Sequence, residues 1–235
     1  MDESSEMTKT TLRVSAAVVL VTAIGIILLS QTPSSSGADN RSALLPPDEV
    51  TPEIVAVRGC IEGVEHPSGI KLSNQQQIAA CNEHVRIAEN KTQARYFRGL
   101  HLYENGTINA HRTQAYYDFT FVIDAGADIP SAFGNRAVLN LRDRNAPERA
   151  LADVDKAIEL TTERPRSYYF ERRATILLSL AKRNADEAMV YAALDDIKKA
   201  RSLNPRSNTY THLENWAAEF LKKLLQNEGR PVQKG

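Results

Sequence analysis

The chain has 235 residues, and its 29 Lys and Arg balance its 29 Asp and Glu, so the formal net charge is zero. Without a basic surplus, the chain lacks the electrostatic signature of a nucleic-acid-binding protein, and no nucleic-acid partner is predicted. After residue 50 the sequence is rich in Ala, Leu, Arg and Glu, which favours helix over strand. We therefore predict an all-α folded part.

The N-terminal region differs in composition from the rest of the chain. Residues 14–29 read VSAAVVLVTAIGIILL, sixteen residues without a charge, and a helix of this length is short but adequate for a membrane core of about 30 Å. A cleaved secretory signal is the alternative, but the preceding residues carry three acidic side chains and lack a compact basic start. We predict a tail at residues 1–13 and a transmembrane anchor, or an uncleaved signal, at residues 14–30.

The basic residues around this apolar run indicate its orientation. Lys9 and Arg13 precede it, and only Arg41 follows it closely. Because basic residues concentrate on the cytoplasmic side of a membrane, a single pass with an exported C-terminal domain is predicted.

Two segments lead into the folded part. Residues 31–50 are rich in Ser, Pro and Gly and lack a helical period, so they are predicted to be a flexible linker. Thr51 followed by Pro52, and later Ser73, are helix-start signals. They predict an N-terminal helical segment at residues 51–91.

This segment contains the only two cysteines, Cys60 and Cys81. In an oxidising compartment they could form a disulfide that contributes about 3 kcal/mol through loop closure, and two buried thiols are the alternative. Cys81 and His84 have the C-x-x-H spacing of metal ligands, but no further ligands are suitably spaced, so no metal site is predicted.

A helical pattern continues almost to the end of the chain. Breaks are predicted near Asn90, at Gly106, at 126–130, at 145–147, at 164–165, near Asn184 and at 204–205. The result is a series of antiparallel helices joined by short loops.

Self-similarity divides this series into three two-helix units. The first helices share an Arg followed by a small residue, in the segments RYFRGLHL, FGNRAVLN and FERRATILL. The second helices share the order small, Asp, apolar, small: Ala115, Asp118, Phe119, Val122; Ala150, Asp153, Val154, Ala157; Ala193, Asp196, Ile197, Ala200. Small residues on facing helices allow close approach, and such hairpins must stack to bury their apolar faces. We predict three hairpins at residues 92–207.

This pattern, with an Asn-Pro exit at Asn204 and Pro205, resembles the tetratricopeptide repeat (TPR). The intervals between first-helix small residues, 38 and 37, exceed the usual repeat of about 34. Together with the N-terminal apolar segment and the paired cysteines, the pattern resembles membrane-anchored bacterial cell-envelope TPR proteins. The resemblance implies a short TPR-like solenoid, an inner-membrane anchor and a periplasmic domain.

The C-terminal stretch predicts an amphipathic helix that caps the solenoid at residues 208–227, followed by a tail at 228–235. Its apolar face includes Trp216, for which packing is favoured over a binding role.

The recurrent arginines are predicted to pair with the recurrent aspartates and so join the helices of each hairpin. A basic stripe for an acidic ligand is the alternative. The residues concerned are Arg98, Arg136, Arg173, Asp118, Asp153 and Asp196.

TPR proteins generally bind partners on the concave face formed by their first helices, and the resemblance places a partner-binding groove on matching positions here. These positions are Gln93, Tyr96, Leu100, Tyr103, Ser131, Val138, Leu141, Arg142, Tyr168, Glu171, Thr175 and Leu178. Such a groove would hold an extended or helical peptide.

No catalytic motif accompanies these features. The five histidines are scattered, and no nucleophile elbow or phosphate-binding glycine loop is present. We predict a membrane-anchored protein-binding scaffold without enzymatic activity, cofactor or small-molecule substrate. The alternative is a permanent structural subunit of a larger membrane complex.

Overall fold

The computed structural model describes residues 51–65, 68–162 and 165–227. This part of the chain contains nine α-helices and no strand apart from an isolated bridge between Val64 and Lys71, so the predicted all-α class is confirmed. The helices are α1 (Pro52–Ile61), α2 (Asn74–Ile87), α3 (Lys91–Asn105), α4 (Asn109–Asp124), α5 (Pro130–Arg142), α6 (Pro147–Glu159), α7 (Ser167–Asn184), α8 (Glu187–Leu203) and α9 (Thr209–Asn227).

The predicted tail, anchor and linker at residues 1–50, and the tail at 228–235, lie outside the described residues. Among the residues that are described, no helix is both long and apolar enough to cross a membrane.

Capping residues start the first two helices where the sequence predicts them. The side chain of Thr51 accepts a hydrogen bond from the backbone N–H of Ile54, and Pro52 occupies the first helical position. Ser73 and Gln76 form a reciprocal capping box at the start of α2.

The helices end at the predicted breaks. α3 stops before Gly106, and α4 is followed by Gly126, whose φ of 75° lies in the left-handed region that glycine adopts without strain. α7 ends at Ala185, which takes φ 54° without being a glycine.

Each helix packs chiefly against its neighbours in sequence. The closest partners are α1 with α2, α3 with α4, α5 with α6, and α7 with α8, and each of these hairpins packs on the next. α9 packs against α8 and α7, as a cap on the last hairpin would.

Buried alanines line the contacts between helices. Fully buried alanines occur at Ala94, Ala115, Ala132, Ala137, Ala150, Ala157, Ala174, Ala193 and Ala200. At Gly134 of α5 the approach is closer still, because a Cβ there would lie 2.5 Å from Cε1 of Tyr169 on α7. Small side chains therefore set the spacing of the helices.

The core is distributed along the array. Three apolar clusters follow one another: around α3–α5, with Phe119 and Leu139; around α5–α7, with Tyr169 and Ile176; and around α7–α9, with Leu178 and Tyr210. Successive clusters share helices, so each hairpin is stabilised by its neighbours.

The first hairpin carries the Cys60–Cys81 disulfide. Both cysteines are buried, and Gly59 lies so close to α2 that a Cβ there would be 2.8 Å from Cβ of Ala80. The bond joins α1 to α2 where the Cα atoms of the two cysteines are 4.5 Å apart.

Candidate partner-binding surface

The recurrent arginines and aspartates form one bidentate ion pair in each of the three hairpins α3–α4, α5–α6 and α7–α8. Arg98 reaches both carboxylate oxygens of Asp118 at 2.8 and 2.7 Å. The corresponding distances are 2.9 and 2.6 Å for Arg136 with Asp153, and 2.7 and 2.7 Å for Arg173 with Asp196. Each pair connects the first helix of a hairpin to the second.

Two of these arginines also reach the preceding hairpin. Arg98 donates to Asn82 of α2 at 3.1 Å, and Arg173 donates to Asp155 of α6 at 3.0 Å. Hydrogen bonds to Asp196 raise the pKa of Arg173 above its usual value, so this guanidinium stays protonated. Because each of these three arginines is paired with a carboxylate, its charge is largely compensated within the chain, which favours a structural role over the binding of an acidic ligand.

The first helices share a surface on which the predicted groove residues lie. At its α3 end the tyrosines are engaged within the chain: Tyr96 OH lies 2.6 Å from Oγ of Ser131, and Tyr103 OH accepts from Arg172 at 3.3 Å. Both tyrosines are partly buried, and burial raises the pKa of Tyr96. Tyr96 and Tyr103 therefore present only part of their side chains at this end of the surface.

The neighbouring predicted residues have mixed environments. Gln93 and Leu100 are partly buried, and Leu100 packs against the cluster around Phe119. Tyr168 is 36% exposed, with the Arg172 guanidinium 5.0 Å from its ring centre.

At the α9 end the same surface opens into two adjoining pockets. One of about 200 Å³ is lined by Val138, Leu141, Glu171, Arg172, Thr175 and Ile176. The other, of about 420 Å³, is lined by Leu141, Thr175, Leu178, Ser179, Lys182, Leu213 and Trp216. Because Leu141 and Thr175 belong to both, the pockets form one depression, which we call the α5–α7–α9 groove.

Leu178, Arg142 and Trp216 have different surroundings from one another. Leu178 is only 1% exposed, so it contributes the floor of the groove and not an accessible contact. Arg142 lines another pocket, together with residues of α4. The ring of Trp216 stacks on that of Phe220 with 5.9 Å between the ring centres, and Trp216 is 38% exposed and forms a wall of the groove.

Glu171 is the carboxylate that lines the groove, and it is partly buried. Burial raises the pKa of Glu171 above the usual value for a glutamate. Lys182 and Arg172 line the same groove, so its charged groups have a positive balance.

A further pocket, of about 550 Å³, was not predicted from the sequence. Its lining residues are Asn109, Arg112, Thr113, Tyr116, Tyr117, Leu139, Arg142, Asp143 and Arg144. They come from α4, α5 and the loop after α5. No periodic pattern in the sequence indicates that residues of these three segments lie together. The Arg-Asp-Arg sequence at residues 142–144 was the one available signal.

The described residues contain no group of three or more His, Cys, Asp or Glu side chains arranged to hold a metal. His84 and His101 are buried, and burial lowers the pKa of both. We therefore assign both to the packed core.

Comparisons of the chain with protein-family models, with curated proteins and with solved structures found no match in any of the three.

Proposed function

We propose that this chain is a protein-binding scaffold of TPR-like hairpins, held in the inner membrane by residues 14–30 with its folded domain on the exported side. The supporting observation is the α5–α7–α9 groove, an open apolar depression that extends from α5 to α9, the last described helix. The serial packing of hairpins supplies the rigid support that such a surface requires.

The chemistry of the groove indicates its occupant. Leu141, Leu213 and Trp216 offer apolar contacts, and pockets of about 200 and 420 Å³ have room for individual side chains. Arg172 and Lys182 outnumber the one carboxylate of the groove. We propose a peptide segment of a partner protein that carries apolar anchor residues beside at least one acidic residue.

Trp216 is the side chain that contributes most to binding in this proposal. It is exposed at 38% and held in orientation by stacking on Phe220, so it presents a pre-ordered aromatic surface. Tryptophans of this kind are enriched among residues whose truncation costs more than about 2 kcal/mol of binding free energy.

The test begins with photo-crosslinking. A photoreactive residue replaces Thr175, which is exposed and belongs to both pockets, and the control position is exposed Ala152 on α6. The crosslinked segment is identified by mass spectrometry, and a synthetic peptide of that segment is titrated against the chain by fluorescence anisotropy.

We expect the peptide to contain apolar and acidic residues and its affinity to fall at least about tenfold in Trp216→Ala. The matched control is Ile70→Ala, because Ile70 is 62% exposed and lies outside the groove. Equal effects of the two substitutions, or a crosslink from Ala152 alone, would exclude the groove as the binding surface.

A second candidate is a permanent structural subunit of a larger complex. It is favoured by aromatic side chains exposed on second helices: Tyr117 at 54%, Tyr191 at 48% and Phe121 at 36%. Exposed aromatic surface of this kind suits lasting contact with another protein. Strong crosslinks from Ala152, with none from Thr175, would support this candidate.

A further inference from the structure

The pocket between α4 and the end of α5 has an unusual concentration of positive charge. It is lined by three arginines, Arg112, Arg142 and Arg144, and by one carboxylate, Asp143. We call it the arginine pocket. Its volume of about 550 Å³ lies within the range of small-molecule binding sites.

Only one of the three guanidinium groups is paired with a carboxylate. Nε of Arg112 lies 3.3 Å from Oδ1 of Asp143, and the same guanidinium donates a hydrogen bond to Oδ1 of Asn109. In the part of the chain that the structure describes, Arg142 has no ion pair or hydrogen bond, and Arg144 has no ion pair. The pocket therefore carries a net charge of about two positive units, since arginine stays protonated.

Aromatic stacking positions one of the unpaired arginines. The guanidinium carbon of Arg144 lies 3.5 Å from the ring centre of Tyr116 and 5.5 Å from that of Tyr117. Stacking of this kind occupies the faces of the guanidinium plane and leaves the N–H groups at its edge free to donate. Arg144 is thus ordered without being neutralised.

We propose that the arginine pocket binds a small ligand through a phosphate group. The arginines come from three segments, namely α4, the last turn of α5 and the loop after it. One guanidinium fork is enough to satisfy a planar carboxylate, whereas a tetrahedral phosphate accepts hydrogen bonds from several directions and can carry two negative charges. Thr113 also lines this pocket, and its exposed hydroxyl is a further hydrogen-bond donor.

The test is isothermal titration calorimetry of the full chain with inorganic phosphate and, separately, glycerol phosphate, at ionic strength held constant with sodium chloride. We expect saturable binding that weakens at least about tenfold in Arg142→Gln and in Arg144→Gln. Asp143→Asn removes the negative charge that opposes the ligand and frees Arg112, so the affinity for phosphate should rise several-fold.

The matched control is Arg149→Gln, because Arg149 is an exposed arginine of α6 outside the pocket. Circular dichroism of each variant establishes that the helices are retained. The proposal is overturned if Arg149→Gln weakens binding as much as Arg142→Gln, if succinate binds as tightly as phosphate, or if no saturable heat appears in the millimolar range. Tighter binding in Asp143→Asn supports the proposal independently, since loss of structure would only weaken binding.

Discussion

Replacing Asp118 by Ala tests whether the buried ion pairs hold the hairpins together. Asp118 has no exposed surface, and the Arg98 side chain that it binds is only 13% exposed. Removal of one partner of a buried pair costs about 3–5 kcal/mol, because the other charge stays buried without compensation. Arg98 keeps its hydrogen bond to Asn82, so we expect a loss near 3 kcal/mol.

The assay is urea unfolding followed by far-ultraviolet circular dichroism. The control is Asp195→Ala, since the Asp195–Lys198 pair is about three-quarters exposed and its loss should change the free energy of unfolding by no more than about 0.5 kcal/mol. The double variant Arg98→Met with Asp118→Leu should recover most of the stability lost in Asp118→Ala, because no unpaired charge remains. An Asp118→Ala variant as stable as Asp195→Ala would refute the reasoning.

Three further predictions concern packing, redox state and pH. Gly134→Ala should lower the free energy of unfolding by about 1–3 kcal/mol, because the added Cβ would lie 2.5 Å from the ring of Tyr169; urea unfolding measures the change. Reducing the Cys60–Cys81 bond, which joins residues 21 apart, should cost about 3 kcal/mol and lower the melting temperature. Burial lowers the pKa of His84 below its ordinary value of 6.5, so stability should fall as pH drops from about 6.5 toward the folded-state pKa, and His84→Gln should reduce this slope in unfolding titrations.

Each of these predictions has a contradicting outcome. A more stable Gly134→Ala variant would mean that the gain in helix propensity, up to about 1 kcal/mol, outweighs the contact with the ring. A melting temperature unaffected by reductant would mean that the disulfide adds nothing to stability, and a double Cys-to-Ala variant controls for other effects of the reductant. An unchanged pH slope in His84→Gln would assign the acid sensitivity to other groups, such as His101.

The helix boundaries could be predicted because they depend on local chemistry. Pro147 fits the first position of a helix, Gly126 adopts a left-handed φ at a helix end, and Ser73 caps backbone groups within its own turn. None of these effects requires knowledge of distant residues. The Arg98–Asp118 pair could be anticipated in the same way, since the repeated spacing places matching residues on facing helices.

The sequence does not predict which residues of the groove are covered by other side chains. The hydroxyl of Tyr96 forms a hydrogen bond with Ser131, 35 residues away, and that of Tyr103 accepts one from Arg172, 69 residues away. Which side chains meet across hairpins depends on small rotations of neighbouring helices. Helical periodicity places a residue on a face but does not fix what covers that face.

The arginine pocket illustrates the same limit. Arg142 follows Leu141 directly, yet Leu141 lines the α5–α7–α9 groove and Arg142 lines a different pocket with α4. Consecutive helical residues point about 100° apart, so adjacent positions can serve separate surfaces. The contact between Tyr116 and Arg144 depends on the path of the loop after α5, which places the Arg144 guanidinium over the Tyr116 ring. Helical periodicity gives no information about that path.

The α7–α8 hairpin has longer arms than the α5–α6 hairpin. α7 and α8 have 18 and 17 residues, whereas α5 and α6 have 13 each. The extra length is five residues in α7 and four in α8, which is between about one and one and a half helical turns on each arm. Arg173 is the seventh residue of α7, as Arg136 is of α5, so the extra residues of α7 lie after the arginine, toward the tip of the hairpin and beyond the Arg173–Asp196 pair. Insertions at this tip therefore offer a way to widen the surface of such an array without disturbing the pair.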